Sequence, residues 1–133
     1  MKKEISHFWI GNFKSETDFY IFFGEDENYY ENESETDEKY ISEFARTQNK
    51  HWLDHDFLEC GFENESITFE EKFLEYSYSE QWISELKRRI EQIKPGFEFN
   101  SIAFVTKEKI AHPTSVKTQH FEMLYVGEIE YEI

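Results

Sequence analysis

Twenty-five of the 133 residues are aromatic, in a chain whose formal charge is −15. Disordered chains of comparable charge are poor in aromatics, because without such groups to bury they cannot offset the entropy lost on ordering. The combination therefore requires a folded core under an acidic surface. A chain of 133 residues fits one domain over 1–133, long enough for a single core and too short for two. Trp9, Phe22, Phe44, Trp82 and Phe104 are the expected centre of that core.

The local patterns predict an α+β fold, an antiparallel sheet with helices packed on one face. Residues 4–13 are aromatic and β-branched and end at Gly11-Asn12, which predicts a first strand. Ser15-Glu16-Thr17-Asp18 is a helix start, Phe19, Phe22 and Phe23 share one helical face, and Gly24 is placed as C′. The spacing of Tyr40, Ile41, Phe44, Ala45 and Gln48 predicts an amphipathic helix from Thr36 to about Asn49. A short strand over 56–62 and a helical turn opened by Thr68 and Glu71 follow, although Ile67 and Phe69 equally suit an edge strand. The clearest helix runs from Ser79 to Ile93, with Trp82, Ile83, Leu86, Ile90 and Ile93 on one face and Pro95-Gly96 as its stop. Residues 97–106 and 120–133 read as strands around a polar connection at 107–119, with a bulge at Gly127. In the last strand Ile129 and Tyr131 alternate with Glu128, Glu130 and Glu132, giving one apolar and one acidic face.

Charge is distributed as unevenly as it is abundant, with a net −14 over residues 1–80 and −1 over 81–133. The densest piece, residues 25–38, holds eight carboxylates and no base, and the loop is placed at about 25–36. Such a field repels nucleic acid and anionic membranes and attracts a basic protein or a cation. The plain account of the run is a solvated loop. A docking surface is the sharper one, favoured by Tyr29 and Tyr30 among the carboxylates, since aromatics anchor protein interfaces and a solubilising loop has no use for them.

Catalytic chemistry finds little support. The five glycines are isolated, so no phosphate-binding loop is present, and the abundance of glutamate makes any carboxylate pair uninformative. Cys60 has no partner for an intramolecular disulfide and sits in an aromatic stretch, where a cysteine is more often a small hydrophobe than a nucleophile. His51 and His55, at i and i+4 beside Asp54 and Asp56, would share a helix face and could hold Zn²⁺, but they lack the His-Glu-x-x-His arrangement. The competing reading has Trp52 and Phe57 anchoring the segment in the core while the His and Asp side chains make turn and capping bonds. The expectation is thus a protein that is no enzyme and needs no metal or cofactor. A metal-dependent enzyme built on His51/His55 is the weaker alternative. With no apolar run of about 18 residues and no apolar stretch behind Met1-Lys2-Lys3, the chain is expected to be cytoplasmic and unattached to membrane. Oligomeric state is not set by these features.

The opening His7-Phe8-Trp9-Ile10-Gly11-Asn12-Phe13, with Ser15-Glu16-Thr17-Asp18-Phe19 and Phe23-Gly24, resembles the start of the bacterial Immunity protein 22 family. The resemblance continues through Phe44-Ala45, the Trp52-x-Asp54-x-Asp56-Phe57 segment, the helix from Trp82 to Ile93 and Asn100-Ser101-Ile102. It implies a small cytoplasmic protein that binds and blocks a toxin delivered by neighbouring bacteria, as in contact-dependent growth inhibition, and supplies no agreed binding residues. Many such toxins are nucleases with basic clefts, which an acidic partner can occupy in place of a phosphate backbone. The expected partner is therefore a toxin domain with a basic surface. The expected contacts are Glu25, Asp26, Glu27, Tyr29, Tyr30, Glu31, Glu33 and Glu35, with Asp54 and Asp56 as a second candidate. An acidic mimic of nucleic acid and a general interaction module are the alternatives from other classes.

Overall fold

The computed structural model describes residues 2–25, 40–62, 76–106 and 110–132, the side chain of His55 excepted. Its elements in chain order are β1 (Lys3–Phe13), α1 (Glu16–Phe23), α2 (Glu43–Thr47), a 3₁₀ turn (His55–Phe57), β2 (Leu58–Phe62), α3 (Ser79–Ile93), β3 (Ser101–Thr106), β4 (Val116–Lys117) and β5 (Phe121–Glu132). The strands form one sheet in the order β2-β3-β1-β5-β4, with every neighbouring pair antiparallel. The fold is α+β, as expected.

The helices, however, are divided between the two faces of the sheet and do not share one. The reason lies in β1, the central strand, whose alternate side chains are buried in both directions. Phe8 and Ile10 join Ile102, Phe104, Ile129 and Tyr131 under Trp82, Leu86 and Ile90 of α3. Trp9 and Phe13 join Ala103, Val105 and Met123 under Phe19, Phe22 and Phe23 of α1 and Phe44 of α2. A strand covered on both faces reads as a continuous apolar run, which is what residues 8–10 present. All five side chains assigned to the core are buried there.

Local chemistry sets most of the element ends. Ser15 caps α1 by accepting from the Asp18 N–H at 3.1 Å, and Ser42 caps α2 by accepting from the Ala45 N–H at 3.0 Å. The second helix is thus a five-residue turn starting after Ser42. Tyr40 and Ile41, expected inside it, lie outside the helix, and the Ile41 N–H donates to the His51 carbonyl at 2.9 Å. Gly24 closes α1 in an extended conformation (φ −70°), not the left-handed one expected of a C′ glycine. It is needed because a Cβ there would stand 2.6 Å from the Tyr20 carbonyl oxygen. Gly127 does take a left-handed φ of +119°, at the bulge where β1 pairing passes from Gly127 to Tyr125.

The strand expected over 97–106 starts only at Ser101, because Asn100 gives its side chain to the partner strand. Its Oδ1 accepts from the Phe13 N–H at 3.0 Å and its Nδ2 donates to the Phe13 carbonyl at 2.8 Å. The polar connection is pinned by a similar device. Gln48, at the end of α2, donates to the Thr114 carbonyl at 3.0 Å and accepts from the Thr114 N–H at 2.8 Å, while the Trp9 indole donates to the same carbonyl at 3.1 Å. The helical turn expected around Thr68 lies outside the described residues.

Candidate functional site

Of the acidic stretch, Glu25 is described, and it is exposed; Asp26, Glu27, Tyr29, Tyr30, Glu31, Glu33 and Glu35 lie outside the described residues. Glu25 follows α1, which buries Phe19, Phe22 and Phe23 and turns Tyr20 and Ile21 outward. Those two side chains are 60% and 66% exposed, among the largest exposures of any bulky hydrophobic group in the described chain. Ile21 stands between two shallow clefts. One, of about 280 Å³, is bounded by Tyr20, Gly24, Glu25, Tyr40 and Glu43. The other, of about 170 Å³, is bounded by Asp18, Phe22, Val116 and Phe121. Around these two large apolar groups the clefts are lined by Asp18, Glu25 and Glu43 and by Arg46, which pairs with Glu43 at 2.8 Å, and Glu25 is the first residue of the acidic run in the sequence. The sequence held a signal for Tyr20 and Ile21, since both are apolar but lie off the buried i, i+3, i+4 stripe.

In the second candidate segment the turn bonds expected of its Asp side chains are present at Asp54, but the shared helix face of the histidines and the core anchoring by Trp52 and Phe57 are not. Residues 51–54 are not helical, so His51 and His55 do not share a helix face. The His51 ring instead stacks on Tyr40 at 4.4 Å and 8°. Leu53, fully buried, is the side chain that anchors the segment; Trp52 and Phe57, expected in that role, are 44% and 38% exposed. Asp54 Oδ1 accepts from the Asp56 N–H at 3.0 Å, and the Phe57 N–H donates to the Asp54 carbonyl at 2.9 Å, a side-chain turn that starts the 3₁₀ segment. Asp56 is exposed and lies with Glu4 and Glu59 around a cleft of about 280 Å³. That cleft is on the α3 face of the sheet at the Glu4 end of β1, whereas Glu25 is on the opposite face near the Phe13 end. The sheet therefore separates this cleft from α1.

The single cysteine is held neutral. Burial, with Glu59 adding to it, pushes the Cys60 thiol up to about 11, and the side chain packs against the α1 face core. No group of three or more His, Cys, Asp or Glu among the described residues could hold a metal ion. No described helix is long and apolar enough to cross a membrane.

His7 is buried in β1, its Nδ1 2.8 Å from the Tyr125 hydroxyl. Burial lowers the His7 pKa, with Glu128 partly opposing, while the Tyr125 hydroxyl is pushed up to about 12, chiefly by burial and also by Glu128. The unfolded chain therefore protonates His7 before the folded one does. Stability from this group is complete above about pH 6.5 and is lost as the pH falls toward the lowered folded value. Urea midpoints measured from pH 7.5 to 5 should fall less steeply in His7→Gln than in the wild type. Parallel profiles would show that His7 titrates alike in both states.

A family model described as Immunity protein 22 matches residues 6–132. No curated protein and no solved structure matches the chain.

Proposed function

The chain belongs to the Immunity protein 22 family, and from that membership we propose that it neutralises a cognate bacterial toxin by one-to-one binding, without catalysis, in the cytoplasm of the cell that makes it. The proposed toxin is a nuclease of a contact-dependent inhibition system, and the proposed contact is the acidic surface around α1. The observation that carries this reading is the pair Tyr20 and Ile21, exposed beside Asp18, Glu25 and Glu43 a few residues before the eight-carboxylate run in the sequence. Apolar anchors supply binding energy at an interface centre, and surrounding charge steers the encounter. An opposite field raises association rates by about 10–10³-fold, an advantage when the target is lethal while free. A basic nuclease cleft, shaped for a phosphate backbone, is the complementary surface.

The test is capture of the product of the adjacent upstream gene by the tagged protein, with the toxicity of that product assayed in cells with and without it. One-to-one capture with rescue of growth is the expected result; capture of many basic proteins without discrimination would replace this reading with general mimicry of nucleic acid. Neutralising Glu25, Asp26, Glu27, Glu31 and Glu33 together should weaken toxin binding and flatten its salt dependence. Tyr20→Ala with Ile21→Ala should weaken binding by about tenfold or more while leaving the fold intact, since both groups are exposed. Unchanged affinity in both variants would move the interface away from α1.

A further inference from the structure

On one side the sheet ends in a strand that is only partly covered. β4 pairs with β5 at Met123 and Glu122, and no described strand lies beyond β5 from Leu124 to Glu132. Which backbone groups face that open side follows from the alternation of hydrogen bonds along a strand. In β1 the Gly11 carbonyl and both polar groups of Phe13 bond to Asn100, so the odd-numbered residues of β1 face β3 and the even-numbered ones face β5. Glu4 and Ser6 lie opposite Tyr131 and Ile129, which therefore bond to β1. Glu128, Glu130 and Glu132 alternate with them and turn their N–H and C=O groups outward. The Arg89 guanidinium donates to the Glu128 carbonyl at 2.6 Å, which marks that direction and closes the open stretch at the Gly127 bulge.

The side chains of this stretch alternate too. Ile129 and Tyr131 are 3% and 6% exposed against α3, and Glu128, Glu130 and Glu132 are exposed on the other face. Lys3 reaches Glu130 at 3.4 Å, but both side chains are more than half exposed, so the pair is weak and the three carboxylates leave the edge net negative. We propose that the outer edge of β5 over Glu128–Glu132 receives a strand of a protein partner whose lysines or arginines alternate along the face beside these glutamates. A row of outward N–H and C=O groups supplies main-chain affinity, and the alternate side chains supply selectivity. Opposite charges across a strand pair stabilise it and like charges destabilise it, so the glutamates admit a basic strand and reject a second copy of this edge. That the partner is the toxin rests on the function proposed above. The edge is distinct from Tyr20 and Ile21 and gives the partner a second contact.

The experiment is an amide NMR titration of the full chain with a short peptide that alternates lysine and threonine. Saturable shifts and slowed hydrogen exchange at Glu130 and Glu132 are the expected result. The same peptide with N-methyl groups on its pairing amides keeps its charge but cannot form the ladder, and should bind more weakly by about tenfold or more. A peptide alternating glutamate and threonine should not bind. Equal binding of the N-methylated peptide, or no shift at Glu130 and Glu132 with the lysine peptide, would overturn the edge site. Glu130→Pro removes an outward N–H, leaves the bonds to β1 in place and should abolish the shifts. Glu130→Gln keeps that N–H and should weaken binding only severalfold. With toxin, the proline variant should dissociate faster than the glutamine variant by about tenfold or more. Equal dissociation from the two would overturn the edge site and leave the toxin reading standing. Peptide pairing without any toxin capture would do the reverse.

Discussion

Trp9→Ala should remove about 4 kcal/mol of stability, within the range measured for emptying a buried aromatic site. Trp9 is fully buried in the central strand, with its ring edge-on to Phe44 at 4.9 Å and tilted against Tyr125 at 5.1 Å. Truncation therefore leaves a cavity between the sheet and α2. It also takes away the indole N–H that the Thr114 carbonyl accepts, which loosens the connection leading to β4. A domain of this size has on the order of 5–15 kcal/mol in total, so the variant should be largely unfolded by mild urea or modest heating. Trp9→Phe keeps most of the apolar volume and should lose less than half as much. Urea unfolding followed by far-UV circular dichroism measures both. A loss below about 1 kcal/mol for Trp9→Ala would show that the site collapses without penalty and that α2 does not depend on it.

Asn100→Ala should cost about 3 kcal/mol, although it deletes only a small polar side chain. Asn100 is 5% exposed and satisfies both the N–H and the carbonyl of Phe13, where β1 would otherwise end with two buried, unpaired backbone groups. Each orphaned group costs roughly 1–3 kcal/mol. Asn100→Asp tests the account further. It keeps an acceptor for the Phe13 N–H, loses the donor to the carbonyl and buries a charge, so it should be at least as damaging as alanine. Hydrogen exchange at the Phe13 amide should quicken sharply in Asn100→Ala. An unchanged exchange rate there would mean that the bond contributes nothing to holding the strand end.

The elements whose signals are local were legible in the sequence. The first strand, the Phe-rich α1 with its Ser15 cap, the long α3 and the alternating final strand with its bulge at Gly127 all occupy the residues expected of them within one or two positions. What local pattern misjudged were features set by distant contacts. The helical spacing through Tyr40 and Ile41 did not extend α2, because the Ile41 N–H bonds to His51 and the Ser42 hydroxyl starts the helix later. Phe97 and Phe99 alternate like strand residues, yet Asn100 holds the chain in place before β3 begins. Asp54 and Asp56 are adjacent in kind and sequence but have different roles, one in a turn and one at the rim of a cleft. Glu4, Glu59 and Tyr78, which complete that cleft, come from three separate elements and had no common signal.

The sequence by itself determined that the chain folds, that it does so as α+β with a net charge of −15, and that Trp9, Phe22, Phe44, Trp82 and Phe104 belong to the core. Burial of periodic apolar residues dictates these, and both periodicity and charge are written along the chain. Only the tertiary structure decided that β1 is covered on both faces, that Tyr20 and Ile21 stand outside the core, and that α1 and the cleft holding Asp56 lie on opposite sides of the sheet. A strand's neighbours, and hence what its two faces meet, are chosen by contacts between residues such as Trp9 and Phe44 or Phe8 and Trp82, far apart in the chain and close only once it has folded.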